Sequence, residues 1–223
     1  MNELTKIANY HHSDKGTTAY SQHGFTDIYE KYFSPFRYEQ INLLEIGVFE
    51  GASLRTYYDY FPKGNIHGID IFDLSQYSND RIKLHQLDQS NREQLAEFID
   101  EIGVKFDIII DDGSHHMDDQ QISLYYLTKV LKSGGIYVLE DIHTSLGQNN
   151  TPLYGKTLQI MPNRVNTTLS YLKNKPLKSL YLTDAENQEL AEQYEEVLVF
   201  ERDNDKVPPS FGGKSITSIL IKK

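Results

Sequence analysis

Two short apolar runs, each stopped by a pair of acids, constrain this chain more than any other feature. Phe106 to Ile110 is apolar and β-branched and ends at Asp111 and Asp112, while Ile136 to Leu139 ends in the same way at Glu140 and Asp141. Such runs read as strands buried on both faces of a parallel sheet. Between them Asp118 to Ser133 has helical periodicity and is closed by Gly134 and Gly135. Strand, helix and strand make a βαβ unit. If its strands are neighbours, about 4.8 Å apart, then Asp112, Glu140 and Asp141 emerge at one edge of the sheet. The carboxyl ends of the strands are where open α/β sheets bind ligands.

Three carboxylates converging in a partly dry cleft repel one another, so either a proton or a cation sits among them. An oxygen-only set in a chain without cysteine suits a hard divalent ion, most naturally magnesium. His115 follows Asp112 by three residues, and a neutral imidazole there is placed to take a proton from a hydroxyl held at the ion. Any one of these acids alone reads equally well as a helix cap or a solvated sheet edge. Three at matching strand ends beside a histidine favour the cation.

The chain has 223 residues, which is enough for one substantial α/β core, and it gives no sign of a disulfide framework or thiolate metal site. One domain over 1–223 is expected. The start, MNELTKIANYHH, lacks the apolar core of a signal peptide, and no run reaches membrane-span length. The expectation is a soluble, cytoplasmic protein. A net charge of −10, with no stripe of basic residues, disfavours nucleic acid and anionic membrane as partners. A small molecule is the expected partner, and a homo-oligomer is compatible with the sequence.

Residues 1–40 are first polar and histidine-bearing, then helical from Phe25 to Phe33 until Pro35, and read as a lid over the sheet edge. His11, His12 and His23 have no compact metal spacing and read as solvated or structural. Lys15, in the SDKG turn, is placed to reach a ligand carboxylate. Ile41 to Val48 forms the first core strand, and Gly47 and Gly51 flank a tight turn that opens a helix, whose amino end favours an anionic group. Phe49 stands where a fuller glycine pattern has its middle glycine. Asn65 to Ile71 is the second strand, and Asp70 near its tip is placed to accept hydrogen bonds from ribose hydroxyls. Glycine turn and Asp70 together argue for an adenosine-containing cofactor.

Arg81 to Leu87 forms a third strand, and Asp88 either faces the adenine or caps the helix from Asn91 to Ile102. Residues 145–166, rich in glycine, asparagine and proline, read as a mobile loop near the site. Thr167 to Lys173 and Asp184 to Gln193 look helical. Glu196 to Glu201 and Ser215 to Ile221 are closing strands whose direct connection suggests an antiparallel pair at the end of an otherwise parallel sheet.

From about Ser13 to Ser145 the stretches SDKG, HGFTDIYEKYF, LLEIGVFEGASL, IHGIDI, FDIIIDDGSHH and VLEDIHTS resemble the class I S-adenosylmethionine-dependent methyltransferases. Within them the chain is most similar to the metal-dependent sugar O-methyltransferases of macrolide and related natural-product pathways and the cephalosporin hydroxylase-like proteins grouped beside them. The resemblance implies a Rossmann-like α/β fold, mostly parallel with a C-terminal antiparallel hairpin strand and helices on both faces. It implies magnesium on Asp112, Glu140 and Asp141, with two neighbouring sugar hydroxyls bound to it and His115 as general base. Glu45, Gly47, Asp70, Asp88 and Asp111 correspond to cofactor positions, Gly51 closes the turn, and Lys15 reaches the cofactor from the lid.

Two functions from different classes follow. One is an S-adenosylmethionine- and magnesium-dependent O-methyltransferase acting on a hydroxyl of a glycoside or other vicinal diol. The other is a non-catalytic protein that binds the cofactor and regulates or scaffolds a partner. An intact carboxylate trio with His115 favours the enzyme, since a binder has no use for a base beside a metal. An iron oxygenase of the hydroxylase-like branch is disfavoured by the absence from the sequence of a two-histidine facial set.

Overall fold

The structure is a computed structural model that describes residues 1–19 and 21–223. Two short helices, α1 (Glu3–Tyr10) and α2 (Thr26–Phe33), precede the sheet. The chain then runs β1 (Asn42–Ile46), α3 (Ala52–Tyr60), β2 (Asn65–Asp70), β3 (Ile82–Gln86), α4 (Arg92–Glu101), β4 (Phe106–Asp111), α5 (Met117–Thr128) and β5 (Leu131–Leu139). A small hairpin of β6 (Pro152–Leu153) and β7 (Lys156–Thr157) is followed by α6 (Thr168–Lys173), α7 (Asp184–Ala191), β8 (Tyr194–Asp203) and β9 (Lys214–Lys222).

Seven strands form one sheet in the order β3-β2-β1-β4-β5-β9-β8. The first five are parallel, and β9 enters antiparallel between β5 and β8. Alternation along the central strands explains the two-sided core. Ile108, Ile110, Ile136 and Val138 pack on one face with Leu43, Tyr57 and Phe61, whereas Ile109, Tyr137 and Leu139 pack on the other with Leu124, Leu127 and Leu220. Strands sandwiched this way have no polar face, which is why they read as continuous apolar runs.

The order places β1 and β4 at the middle of the sheet, where the chain reverses direction and successive loops diverge. A crevice opens at such a point. The expected neighbours β4 and β5 do pair, with Asp111 opposite Leu139, so the acids that follow leave the sheet side by side.

The structure differs from the local reading in three places. The helix expected to reach Ser133 stops at Thr128, because β5 begins at Leu131 and pairs with Phe106. Lys222 Nζ seals that helix end by donating to Thr128 O at 2.8 Å and to Leu131 O at 2.9 Å. The polar N-terminus holds a helix, α1, capped by Asn2, whose side chain accepts from Thr5 N–H. Within 145–166 the β6–β7 hairpin is folded back, with Arg164 Nη1 donating to Ser145 O and Gly147 O. Among the described residues no helix is long and apolar enough to cross a membrane.

Candidate active site

Gly47 and Gly51 shape the turn after β1. Gly47 has φ +85°, and a Cβ there would lie 2.1 Å from Asp112 O, so only glycine lets the β1 and β4 loops approach this closely. Gly51, at φ +72°, is the N-cap of α3. Phe49 also takes a left-handed backbone, φ +49°, with its ring exposed. Asp70 ties the turn together: Val48 N–H and Phe49 N–H donate to its Oδ2 at 2.9 and 3.2 Å, and Phe72 N–H donates to Oδ1 at 3.0 Å. Asp88 accepts from Ser90 N–H and Ser90 Oγ–H, and lines a crevice of about 580 Å³ with Ile71, Gln86, Gln94 and Glu97 beyond the ends of β2 and β3.

Asp111 is fully buried. Gln89 Nε2 donates to both its oxygens and Ser123 Oγ to one of them, and burial nonetheless pushes its carboxyl up to about 6. Glu45, at the end of β1, is also fully buried, accepts from Ser53 Oγ at 2.6 Å, and is raised by burial to about 8. Gln89, Ser53 and Ser123 carry no signal in the sequence that marks them as partners of these acids.

At the mouth of β4 and β5 the expected residues converge around two centres. The first is Lys15, 2 % exposed, whose Nζ pairs with Asp112 and lies 3.1 Å from Glu140 Oε2 and 3.6 Å from Glu45 Oε1. Burial alone would lower the Lys15 ammonium, but Asp112, Glu140, Asp14 and Glu45 outweigh it and hold it well above the usual lysine range. One ammonium cannot compensate the three carboxylates around it, two of them fully buried. Burial pushes the Glu140 carboxyl well above the usual range, with Lys15 opposing the shift and Asp112 adding to it.

The second centre is Asp141, held in a left-handed backbone at φ +50°. Three imidazoles surround it: His23 Nε2 at 3.7 Å and His143 Nδ1 at 3.5 Å from Oδ1, and His115 Nε2 at 3.6 Å from Oδ2. Burial would raise this carboxyl, yet the histidines outweigh it and hold it below the usual range. His23, which reads from sequence as solvated or structural, is 5 % exposed and fixed by a hydrogen bond between Nδ1 and Ser215 Oγ at 2.8 Å. No spacing rule finds it, because it reaches the site from the N-terminal segment. His11 instead pairs with Asp59.

These residues suit a divalent ion. Ligand atoms of Asp112, His115 and Asp141 lie within 4.8 Å of one another. Glu140 Oε1, Asp141 Oδ1 and His115 Nδ1 are buried without a hydrogen-bond partner, a state that polar atoms rarely keep unless something else satisfies them. Carboxylate oxygens with an imidazole fit a hard to borderline cation. The close-set group includes His115, while Glu140 turns toward Lys15.

No model of a known protein family matches the chain. Over the whole chain the structure is similar to that of the MycE methyltransferase from the mycinamycin biosynthetic pathway, solved in complex with Mg and SAH, with a TM-score of 0.72 and 27 % identity over 99 % of this chain and 55 % of that one. The fold is that of the class I methyltransferases. Among curated proteins, the mycinamicin VI 2''-O-methyltransferase of Micromonospora griseorubida is 40 % identical over 133 residues, 55 % of this chain and 32 % of the relative. The 8-demethyl-8-alpha-L-rhamnosyl tetracenomycin-C 2'-O-methyltransferase of Streptomyces olivaceus is 38 % identical over 149 residues, 64 % of this chain and 38 % of the relative. The chain thus spans about a third of the length of these curated relatives and about half that of the solved one. The similarity to sugar and macrolide O-methyltransferases that its stretches lead one to expect is present in both sequence and structure. In this methyltransferase fold the acid cluster lies at the carboxyl ends of β1, β4 and β5.

Proposed function

We propose that this chain transfers a methyl group from S-adenosylmethionine to a hydroxyl of a glycoside or other vicinal-diol small molecule, with magnesium at the acid cluster. The observation that carries this reading is the set of buried carboxylates and His115 at the carboxyl edge of a methyltransferase sheet, with oxygen and nitrogen atoms left unsatisfied. The related MycE structure contains Mg and SAH, and the curated relatives are named as O-methyltransferases of glycosylated natural products.

Bound here, S-adenosylmethionine supplies an electrophilic sulfonium methyl, and the divalent cation supplies positive charge that acidifies a neighbouring hydroxyl. Asp112 and Asp141 would hold the cation, with Glu140 joining them in place of its contact with Lys15. His115 takes the hydroxyl proton at Nε2, the nitrogen that faces the carboxylates. Asp70 accepts from the ribose hydroxyls, Glu45 and Lys15 meet the methionine end, and Asp88 borders the crevice on the adenine side. Much of the rate then comes from holding hydroxyl and methyl in line.

The test is transfer of label from S-adenosylmethionine to a panel of glycosides, with and without magnesium. Labelled product that disappears on chelation with EDTA supports the reading. SAH binding with no transfer to any diol, or transfer indifferent to chelation, counts against it.

A further inference from the structure

The β6–β7 hairpin presents an aromatic ring to the site at a position where the backbone disfavours one. Its two-residue turn is Tyr154 and Gly155, with φ +44° and +80°. Positive φ at both central residues is the hallmark of a type I′ hairpin turn, in which asparagine, aspartate or glycine is the usual first residue. A bulky residue held there is strained, and such strain persists where the surroundings over-determine it, often at functional sites. Tyr154 is 73 % exposed, and its ring meets the His115 imidazole edge-on, with centroids 5.6 Å apart and planes at 62°.

The hairpin is fastened to the loop that carries His115. Lys156 Nζ donates to both oxygens of Asp119 at 3.1 and 2.9 Å, and Ser114 Oγ donates to the same buried carboxylate at 2.7 Å. His116 Nε2–H donates to Leu153 O at 2.8 Å. On the other side, Thr144 Oγ1 donates to His115 O at 2.9 Å. The backbone that carries Tyr154 and the loop that carries His115 are therefore tied by one connected network.

We propose that Tyr154 is the platform on which the acceptor glycoside lays the apolar face of its sugar ring, so that a hydroxyl on the ring's edge is presented to His115. This rests on the methyltransferase reading above. A pyranose has one face of C–H groups and an edge of hydroxyls, which matches an exposed aromatic face standing beside a base and a polar cluster. Tyr154 thereby selects acceptors with a flat apolar sugar face, and it takes no part in proton transfer.

The probe is methyl α-L-rhamnopyranoside, a hexoside with a vicinal diol, titrated by saturation-transfer NMR into the protein with SAH and magnesium chloride. Tyr154→Asn suits the left-handed turn while removing the ring, and Tyr154→Phe keeps the ring. Expected are transfer strongest to the C–H protons of one sugar face, roughly tenfold weaker glycoside binding in Tyr154→Asn, parent-like binding in Tyr154→Phe, and SAH affinity unchanged in both. Glycoside affinity unchanged in Tyr154→Asn overturns the platform and leaves the methyltransferase reading standing. Equal losses in the two variants overturn it as well, since the hydroxyl would then be what binds. A parent protein that binds SAH and no glycoside overturns this proposal together with the vicinal-diol acceptor.

Discussion

Lys15 Nζ lies 3.1 Å from Glu140 Oε2, so a lysine of the N-terminal segment sits among carboxylates that leave two different strands. It also pairs with Asp112, which places one internal cation between the ends of β4 and β5. Removing one member of a buried ion cluster strands the others, at a cost of about 3 to 5 kcal/mol. Lys15→Met should therefore lower the melting temperature markedly. Magnesium should recover more stability in the variant than in the parent, because it replaces the lost charge. A variant that melts like the parent would show that the ammonium is dispensable to the cluster.

Asp70 is expected to serve two ends. Its Oδ2 already accepts from Val48 N–H and Phe49 N–H, so it braces the glycine turn, and ribose hydroxyls would add charge-assisted hydrogen bonds. Asp70→Ala should weaken SAH binding by about 1.5 to 3 kcal/mol, on the order of tenfold to a hundredfold. Calorimetric titration with SAH measures this directly. Unchanged affinity would remove Asp70 from the cofactor site.

The proposed division of labour between cation and base separates in two variants. Asp112→Asn keeps size but removes a charge, so magnesium affinity should fall while SAH binding hardly changes. His115→Ala should leave SAH binding intact and cut methyl transfer by roughly a hundredfold to ten-thousandfold, the range for losing a general base. Calorimetry with each ligand and a transfer assay on an identified acceptor give the full pattern. Full activity in His115→Ala would sink the base assignment.

Acid should destabilise the fold through a pair of histidines remote from the acid cluster. His67, 4 % exposed on β2, has its Nδ1 3.1 Å from His85 Nε2 on β3, and the two rings are stacked. Burial, then His85 and Lys83, pushes the His67 imidazole down to about 4 from its ordinary 6.5. The unfolded chain thus takes up this proton first as pH falls. The His67 contribution to stability is fully present above pH 6.5 and is lost between there and pH 4, by up to about 3 kcal/mol. In urea unfolding followed across that window, His67→Leu should flatten the slope. An equally steep slope in the variant would assign the acid sensitivity elsewhere.

The parallel sheet was legible in the sequence because strands covered on both faces must be apolar throughout, and Phe106 to Ile110 and Ile136 to Leu139 are. The acid pairs that stop those runs are equally local, so the carboxyl edge is legible in the sequence. The antiparallel closing pair was legible from the direct connection between consecutive strands. The boundary at Thr128 was not, since helix and strand both tolerate the residues from Lys129 to Ser133, and pairing with Phe106 decides between them. The turn of Tyr154 and Gly155 also escaped, because its strain is held by Lys156 on Asp119 and by Leu153 on His116, contacts spanning 37 residues.

What the sequence by itself determined is which side chains stand at the ends of which strands, a property of runs a few residues long. Only the tertiary structure decided what those side chains face. Lys15 reaches Asp112 across 97 positions, and His23 comes to Asp141 from the same N-terminal segment. A buried carboxylate is set by the charges around it rather than by its neighbours in the chain. That is why Glu140 is held high and Asp141 low although they are adjacent: one is buried beside acids that share a single ammonium, and the other is ringed by three imidazoles.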